Sequence, residues 1–327
     1  MFIGILCALC AGLMWGLVFV TPLLLNDYPG VVLSLGRYVA FGLIALVPAW
    51  FDRRRIGLLS RQDWKTAFKL ALVGNLLYYA MLATAIQLAD APLPTMLIGT
   101  LPIVISVCAN WRPGHASESV AWRRLAPSLV ILCMGLMLVN SSELEHLRNG
   151  IGSLGNTRRT TADYILGCII AVFAIAGWTW YPIVNSRYLR THRDINSVTW
   201  ATAQGLATLP MALAGFALYG IYGYAAGDNF AFPLGPRPGI FVAMMLTIGL
   251  SASWMGTLLW NKASQLLPTA LVAQLIVFET LAALLYAFLL RGTAPDMKVL
   301  AGIALLCVGV VYGVQTFSRQ TSISHSP

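Results

Sequence analysis

A chain of 327 residues with 58% apolar and only 10% charged side chains carries more hydrocarbon than a water-soluble fold can hide, since soluble domains average about 25% charged residues. Its net charge of +9 would suit a nucleic-acid binder, but the basic residues sit at the ends of apolar runs, where they read as a membrane-topology signal instead. All six cysteines (Cys7, Cys10, Cys108, Cys133, Cys168 and Cys307) lie inside apolar runs, so they count as small hydrophobes and set up no disulfide or metal framework.

About 20 helical residues cross the hydrocarbon core of a bilayer, and windows of that length recur along the whole chain. They predict helices at Phe2 to Leu25, Val31 to Phe51, Ala67 to Leu88, Pro92 to Trp111 and Trp122 to Asn140. A second set follows at Ala162 to Asn185, Val198 to Tyr222, Arg237 to Lys262, Pro268 to Leu290 and Met297 to Phe317. The first run has no basic leader, exceeds a signal-peptide core in length and lacks a clear cleavage site, so it reads as an uncleaved first helix. With the N-terminus placed in the cytoplasm, fourteen of the 21 basic residues fall on the cytoplasmic side, Arg53 to Arg55 among them, and six fall on the other. Arg37 lies inside the second helix. The bias places both termini in the cytoplasm.

The two sets of five echo each other in order. Leu132-Cys133-Met134-Gly135 answers Leu306-Cys307-Val308-Gly309, Ala85-Ile86-Gln87-Leu88 answers Ala263-Ser264-Gln265-Leu266, Trp15 answers Trp178 and Pro48 answers Pro210. Because five is odd, the second copy enters the membrane from the opposite face, which makes the halves inverted, as in many secondary transporters. The expected organisation is therefore an all-α integral membrane protein of ten helices in two inverted five-helix repeats, residues 1–140 and 162–327, around a central cavity. The polar stretch 141–161 is the expected linker.

Trp15-Gly16 with Phe19, Arg37, Leu101-Pro102 and Phe278-Glu279-Thr280, set in the five-plus-five plan, resemble the drug/metabolite transporter superfamily of EamA type, and within it the YddG group of amino acid exporters. The resemblance covers nearly the whole chain. It departs at Leu17 and Val18, where many relatives have a small polar residue, and at Glu279, where relatives commonly have proline.

Candidate solute contacts come from polar groups and rings at bilayer depth, where uncompensated polarity is costly. Thr95, Gly99, Pro102, Ser106 and Asn110 share one face of the fourth helix, and Pro102 cannot bond the carbonyl of Ile98; solute binding and close packing of small residues both fit this stripe. Ser251, Trp254, Asn261, Lys262 and Gln265 fit one broad face of the eighth helix, and Trp178, Tyr181 and Asn185 one face of the sixth. Trp50, Trp64, Trp111 and Trp122 read as interfacial anchors. Trp15, Tyr78, Tyr79, Trp178 and Trp254 lie deeper, as cavity lining or as bundle packing. Glu279, mid-helix, must be neutral, paired or wet, its partner being Arg37 or the ammonium of a solute. Lys262 either attracts a carboxylate or snorkels. Gly12, Gly16, Gly309 and Gly313 read as packing contacts.

The expected function is export of aromatic and other neutral amino acids from the cytoplasm to the periplasm by alternating access across a bacterial inner membrane, facilitated rather than ATP-driven. The direction is implied by the resemblance alone. Drugs or other metabolites, such as purines or cationic dyes, are the alternative cargo. An intramembrane enzyme is disfavoured because His115, His146, His192 and His325 lie in loops or the tail and no nucleophile or zinc motif occurs; a channel is disfavoured by the lack of a charge ring. No catalytic residue, metal or cofactor is expected. The expected partners are the small-molecule substrate and the lipid bilayer, with no nucleic acid, in a monomer or weak dimer.

Overall fold

The computed structural model describes residues 1–25, 27–89, 97–111, 120–148, 161–227, 230–292 and 294–323. Among the described residues every regular element is helical. The first membrane run is α1 (Phe2–Gly16), a 3₁₀ turn at Leu17–Phe19 and α2 (Val20–Leu24); Pro22 has no N–H to continue the ladder, which accounts for the tightened turn before it. Next come α3 (Gly30–Phe51), the short α4 (Arg53–Leu58), α5 (Arg61–Leu70), a seven-residue π segment (Ala71–Leu77) and α6 (Tyr78–Ala89). Helices α7 (Leu101–Trp111), α8 (Trp122–Arg148), α9 (Thr161–Thr191) and α10 (Ser197–Ala226) follow. The chain then runs through α11 (Pro238–Ile248), a second seven-residue π segment (Gly249–Met255) and α12 (Gly256–Leu266), and ends in α13 (Thr269–Leu275), α14 (Val277–Arg291) and α15 (Met297–Ile323).

Local chemistry sets the ends. Ser60 and Asp63 form a reciprocal capping box that starts α5, and Asn196 accepts from the Thr199 N–H to start α10. Gly227 and Gly292 close α10 and α14 in the left-handed conformation, with φ of 67° and 62°.

Eight of the helical runs among the described residues are long and apolar enough to cross a membrane. The third expected helix starts earlier than Ala67, because the capped, charged α5 precedes its apolar part. Of the fourth, residues 92–96, Thr95 included, lie outside the described residues, and α7 has 11 residues. The linker is shorter than expected: α8 runs on to Arg148 and α9 begins at Thr161, since Ser141 to Arg148 has good helix formers and can continue a helix in water. The expected ninth helix breaks at Ile276 into α13 and α14.

The principal interfaces pair α3 with α10, α8 with α15, α6 with α9, α7 with α13 and α1 with both α12 and α14. Between α8 and α15 the packing is reciprocal. A side chain at Gly135 would meet Leu306 at 2.9 Å, and one at Gly309 would meet Leu132 at 2.7 Å, so the leucine of each Leu-Cys-x-Gly segment fills the notch left by the other's glycine. Each π segment also begins fourteen residues ahead of its own copy of the Ala-x-Gln-Leu match, Ala71 before Ala85 and Gly249 before Ala263. The glycines expected to pack do so: Gly12 lies on the Phe278–Glu279 backbone, Gly16 on Ala282, Gly309 on Leu132 and Gly313 on Gln274.

Candidate functional site

Helices α1, α6, α9 and α12 bring five large rings together. Trp178 is the hub. Its ring centroid lies 5.7 Å from Trp15, 5.6 Å from Tyr78, 5.2 Å from Tyr181 and 6.5 Å from Trp260, each at 70° to 78°, the edge-to-face arrangement that ring quadrupoles favour. Trp15 also meets Trp260 at 5.1 Å. Two glycines make the space. A side chain at Gly74 would strike the Tyr181 ring at 2.3 Å, and one at Gly256 would strike Trp15 Nε1 at 2.7 Å. Tyr78 and Tyr79 are enclosed by the bundle yet keep part of their surface, and Trp178 is likewise only partly buried. Trp15, Tyr78 and Trp178 were legible from their depth and Tyr181 from the helix face it shares with Trp178, whereas Trp260 was not singled out.

Toward the end of the bundle formed by the 52–60, 192–196 and 267–268 connections, polar side chains of α9, α10 and α12 join in a hydrogen-bond network. Tyr181 donates to Gln204 at 3.0 Å, Gln204 and the Trp200 indole both donate to Asn185 Oδ1 at 2.9 and 2.8 Å, and Asn185 donates to Asn261 at 2.9 Å. Arg190 ties α9 to the carbonyls of Ser264 and Leu267 and to Thr269, which also bonds Ser186 at 2.8 Å. Tyr188 donates to Asp63 and stacks between His192 and Trp200. Burial pushes the Asp63 carboxyl up, but the hydrogen bonds from Tyr188 and Ser60 and the nearby His192 outweigh it and hold the group below its usual range. On the opposite end the Asp27–Arg237 ion pair and Tyr28, which donates to the Leu234 carbonyl and accepts from the Arg237 N–H, both at 2.8 Å, join the α2–α3 and α10–α11 connections. Arg237 holds the Asp27 carboxyl below its usual range through that hydrogen bond.

Arg37 and Glu279 behave differently. Arg37 Nε donates to Ser253 Oγ at 2.9 Å, and its guanidinium lies 5.2 Å from the Tyr38 ring centre. Glu279 is enclosed by protein, is only partly buried and lies within electrostatic reach of the Arg37 guanidinium, with the Tyr78 phenol also near it. Among the described residues no cationic nitrogen comes within 4.0 Å of its carboxylate. The contact with Arg37 weighed from sequence is thus electrostatic proximity rather than an ion pair.

The remaining candidates scatter. Ser106 is buried between its own helix and α13, donating to the Pro102 carbonyl at 2.6 Å with the Ala270 carbonyl at 3.0 Å, and Asn110 brackets Val120 through both its side-chain atoms; Pro102 is buried beside them. Gly99 is loosely packed, with Leu136 and Asn140 3.8 and 3.9 Å from where a side chain would begin. None of these four residues takes part in the ring contacts around Trp178. The broad face expected on the eighth helix is divided, because the π segment widens the turn between Ser251 and Asn261 and shifts the register. Ser251 bonds its own helix at Thr247, Trp254 reaches Thr202 at 3.3 Å, Asn261 is fully buried and Lys262 is exposed. Tyr79 meets Tyr38 edge-on at 6.4 Å.

Thr179 Oγ1, Trp260 Nε1, Asn261 Nδ2 and Ser264 Oγ, on the two helices that supply Trp178 and Trp260, are buried without a hydrogen-bond partner among the described residues. Among the described residues no three His, Cys, Asp or Glu side chains group as a metal site.

The chain is similar to known proteins along its length. Residues 2–141 match the EamA-like transporter family. The Escherichia coli (strain K12) protein "Inner membrane protein YtfF" is 47% identical over 312 residues, covering 95% of each chain. A solved structure titled "Crystal structure of protein" shares 14% identity and a TM-score of 0.70 over 97% of this chain and 98% of its own, a likeness of fold. The apolar helices, the intramembrane ring cluster and these matches agree: the chain is a multi-pass membrane protein and belongs to the EamA-like transporter family.

Proposed function

We propose that this protein exports aromatic and other neutral amino acids across a bacterial inner membrane, through a chamber at the centre of two inverted five-helix halves. The observation that carries the reading is the Trp178 hub: five large rings from four helices at bilayer depth, with Tyr78, Tyr79 and Trp178 still partly exposed. Rings in such a place offer stacking faces to a flat or apolar side chain, and the unpartnered Trp260 and Asn261 donors offer hydrogen bonds to its polar end. The chamber lining is Trp15, Tyr78, Tyr79, Trp178, Tyr181 and Trp254, with Glu279 at its edge.

The ten-span inverted plan is supported by the reciprocal Leu–Gly packing of α8 with α15 and by π segments at matching positions in the two halves. Positive-inside bias puts both termini in the cytoplasm, so the dense polar network around Asn185 closes the cytoplasmic end. Alternation then requires that network to loosen while the opposite end, joined by the exposed Asp27–Arg237 pair, tightens. One carboxylate at bilayer depth makes a poor proton relay, and facilitated exit follows. The chain acts as a transporter without catalysis or cofactor, as a monomer or weak dimer.

Purified protein in liposomes tests this with labelled phenylalanine, threonine and a cationic dye, with and without an imposed pH gradient. Saturable phenylalanine flux that the gradient leaves unchanged is the expected result. Dye flux without amino acid flux would replace amino acids with cationic cargo, and gradient-driven accumulation would replace facilitated exit with proton coupling.

A further inference from the structure

We propose that Arg37 and Glu279 together form a two-point receptor for the α-amino acid group, the guanidinium taking the substrate carboxylate and the Glu279 carboxylate taking its ammonium. The proposal rests on the reading of the bundle centre as a solute chamber and adds the substrate class that the charged groups select.

Both side chains lie within membrane-crossing helices, where a charge costs at least about 2.5–3.5 kcal/mol, so each needs a partner. They do not satisfy each other: they interact through space, but among the described residues no cationic nitrogen lies within 4.0 Å of Glu279. Arg37 is nevertheless aimed. Its Nε is fixed by Ser253 and its guanidinium by the neighbouring Tyr38 ring, which leaves the two terminal nitrogens, the pair that grips a carboxylate side-on. Ser253 reaches Arg37 from inside the second π segment, a wide turn of the kind that often marks functional sites. Glu279 is held from the backbone side, where a side chain at Gly12 would begin 3.0 Å from its backbone N and the Ile276 carbonyl accepts its N–H at 2.8 Å. Its carboxylate has no hydrogen-bond partner among the described residues and keeps part of its surface.

A single cation inserted here would satisfy Glu279 and meet repulsion from Arg37, and a single anion the reverse. A zwitterion satisfies both at once. Tyr78 is within electrostatic reach of both charged groups, and its ring meets Trp178 edge-on, so the amino acid group and an aromatic side chain have adjoining places.

The test is competition against labelled phenylalanine uptake in proteoliposomes by unlabelled phenylalanine, phenethylamine (no carboxylate) and 3-phenylpropionate (no ammonium). Either analogue should need at least about ten-fold more than phenylalanine to halve uptake, since removing one hydrogen-bonding end strands a built partner. In Arg37→Gln the penalty for phenethylamine should vanish while that for 3-phenylpropionate remains, and Glu279→Gln should show the reverse; thermal unfolding in detergent verifies that each variant is folded. If a variant does not fold, the wild-type competition decides alone. Equal potency of all three compounds in the wild type would overturn the receptor and leave amino acid export standing. Absence of any phenylalanine uptake would overturn both.

Discussion

The Asn185 network and the bundle centre are built from similar residues put to opposite uses. Around Asn185 the amide accepts from Trp200 and Gln204 and donates to Asn261, while Arg190 spends its guanidinium on two carbonyls and Thr269. At the centre Arg37 has one hydrogen bond, Glu279 has no partner among the described residues, and the rings around Trp178 touch mainly each other. In a membrane, hydrogen bonds between helices average only about 0.6 kcal/mol, so a satisfied network fixes one arrangement without making it irreversible. Side chains left uncommitted are those available to a solute. On the proposed reading, the contrast separates what holds a conformation from what recognises cargo.

Breaking the hub should have the largest effect on flux. Trp178→Ala removes four ring contacts and is expected to cut phenylalanine uptake at least about ten-fold, most of it as a raised half-saturation, since stacking is worth about 0.5–1.5 kcal/mol per ring pair; uptake near wild type would make the hub mere packing. Gly74→Val attacks the boundary between the two regions, since even the first side-chain carbon would strike the Tyr181 ring. Unfolding in detergent should show a loss of about 1–3 kcal/mol.

Asn185→Leu strikes the network alone. It strands Trp200 and Gln204 and should cost about 1–2 kcal/mol, while leaving phenylalanine half-saturation within about two-fold. A large rise in half-saturation with full stability would erase the distinction between the regions.

Asp63 gives the network a pH dependence. Its folded carboxyl titrates below the ordinary 3.8, so its contribution is fully present above that value and is lost as pH falls through the lowered one. Thermal stability should therefore drop as pH falls below about 3.8, and Asp63→Asn should flatten that part of the profile. Asp27→Asn, which breaks an exposed ion pair, should be the smallest change, with no resolvable shift in melting temperature.

Much of this was legible because hydropathy at bilayer scale is a strong signal, as in the runs that became α1, α3, α9 and α15. Trp15, Tyr78 and Trp178 were found because aromatic residues far from a helix end stand out against an interfacial norm, and Tyr181 because it shares a helix face with Trp178. Trp260 was missed although it lies four residues after Gly256, whose open side receives Trp15; nothing in one helix announces a neighbour's ring. The eighth-helix face held only in part: Trp254, Asn261 and Gln265 meet α9, α10 and their connection, whereas Ser251 bonds its own helix and Lys262 is exposed, since π geometry has no composition signature. Ser106 and Asn110 looked like a solute stripe, yet their hydrogen bonds close onto Pro102, Ala270 and Val120, because the carbonyls that complete them come from segments distant in sequence.

Solvent access at mid-bilayer tests the account most directly. With the six native cysteines replaced, Tyr79→Cys in lipid nanodiscs, where both faces are open, is treated with a membrane-impermeant maleimide, and Leu132→Cys, in the packed α8–α15 seam, serves as the control. The account predicts that Tyr79→Cys is labelled, that phenylalanine slows the reaction, and that Leu132→Cys stays unreacted. Equal protection of both positions would mean a solid centre, and would contradict a chamber there.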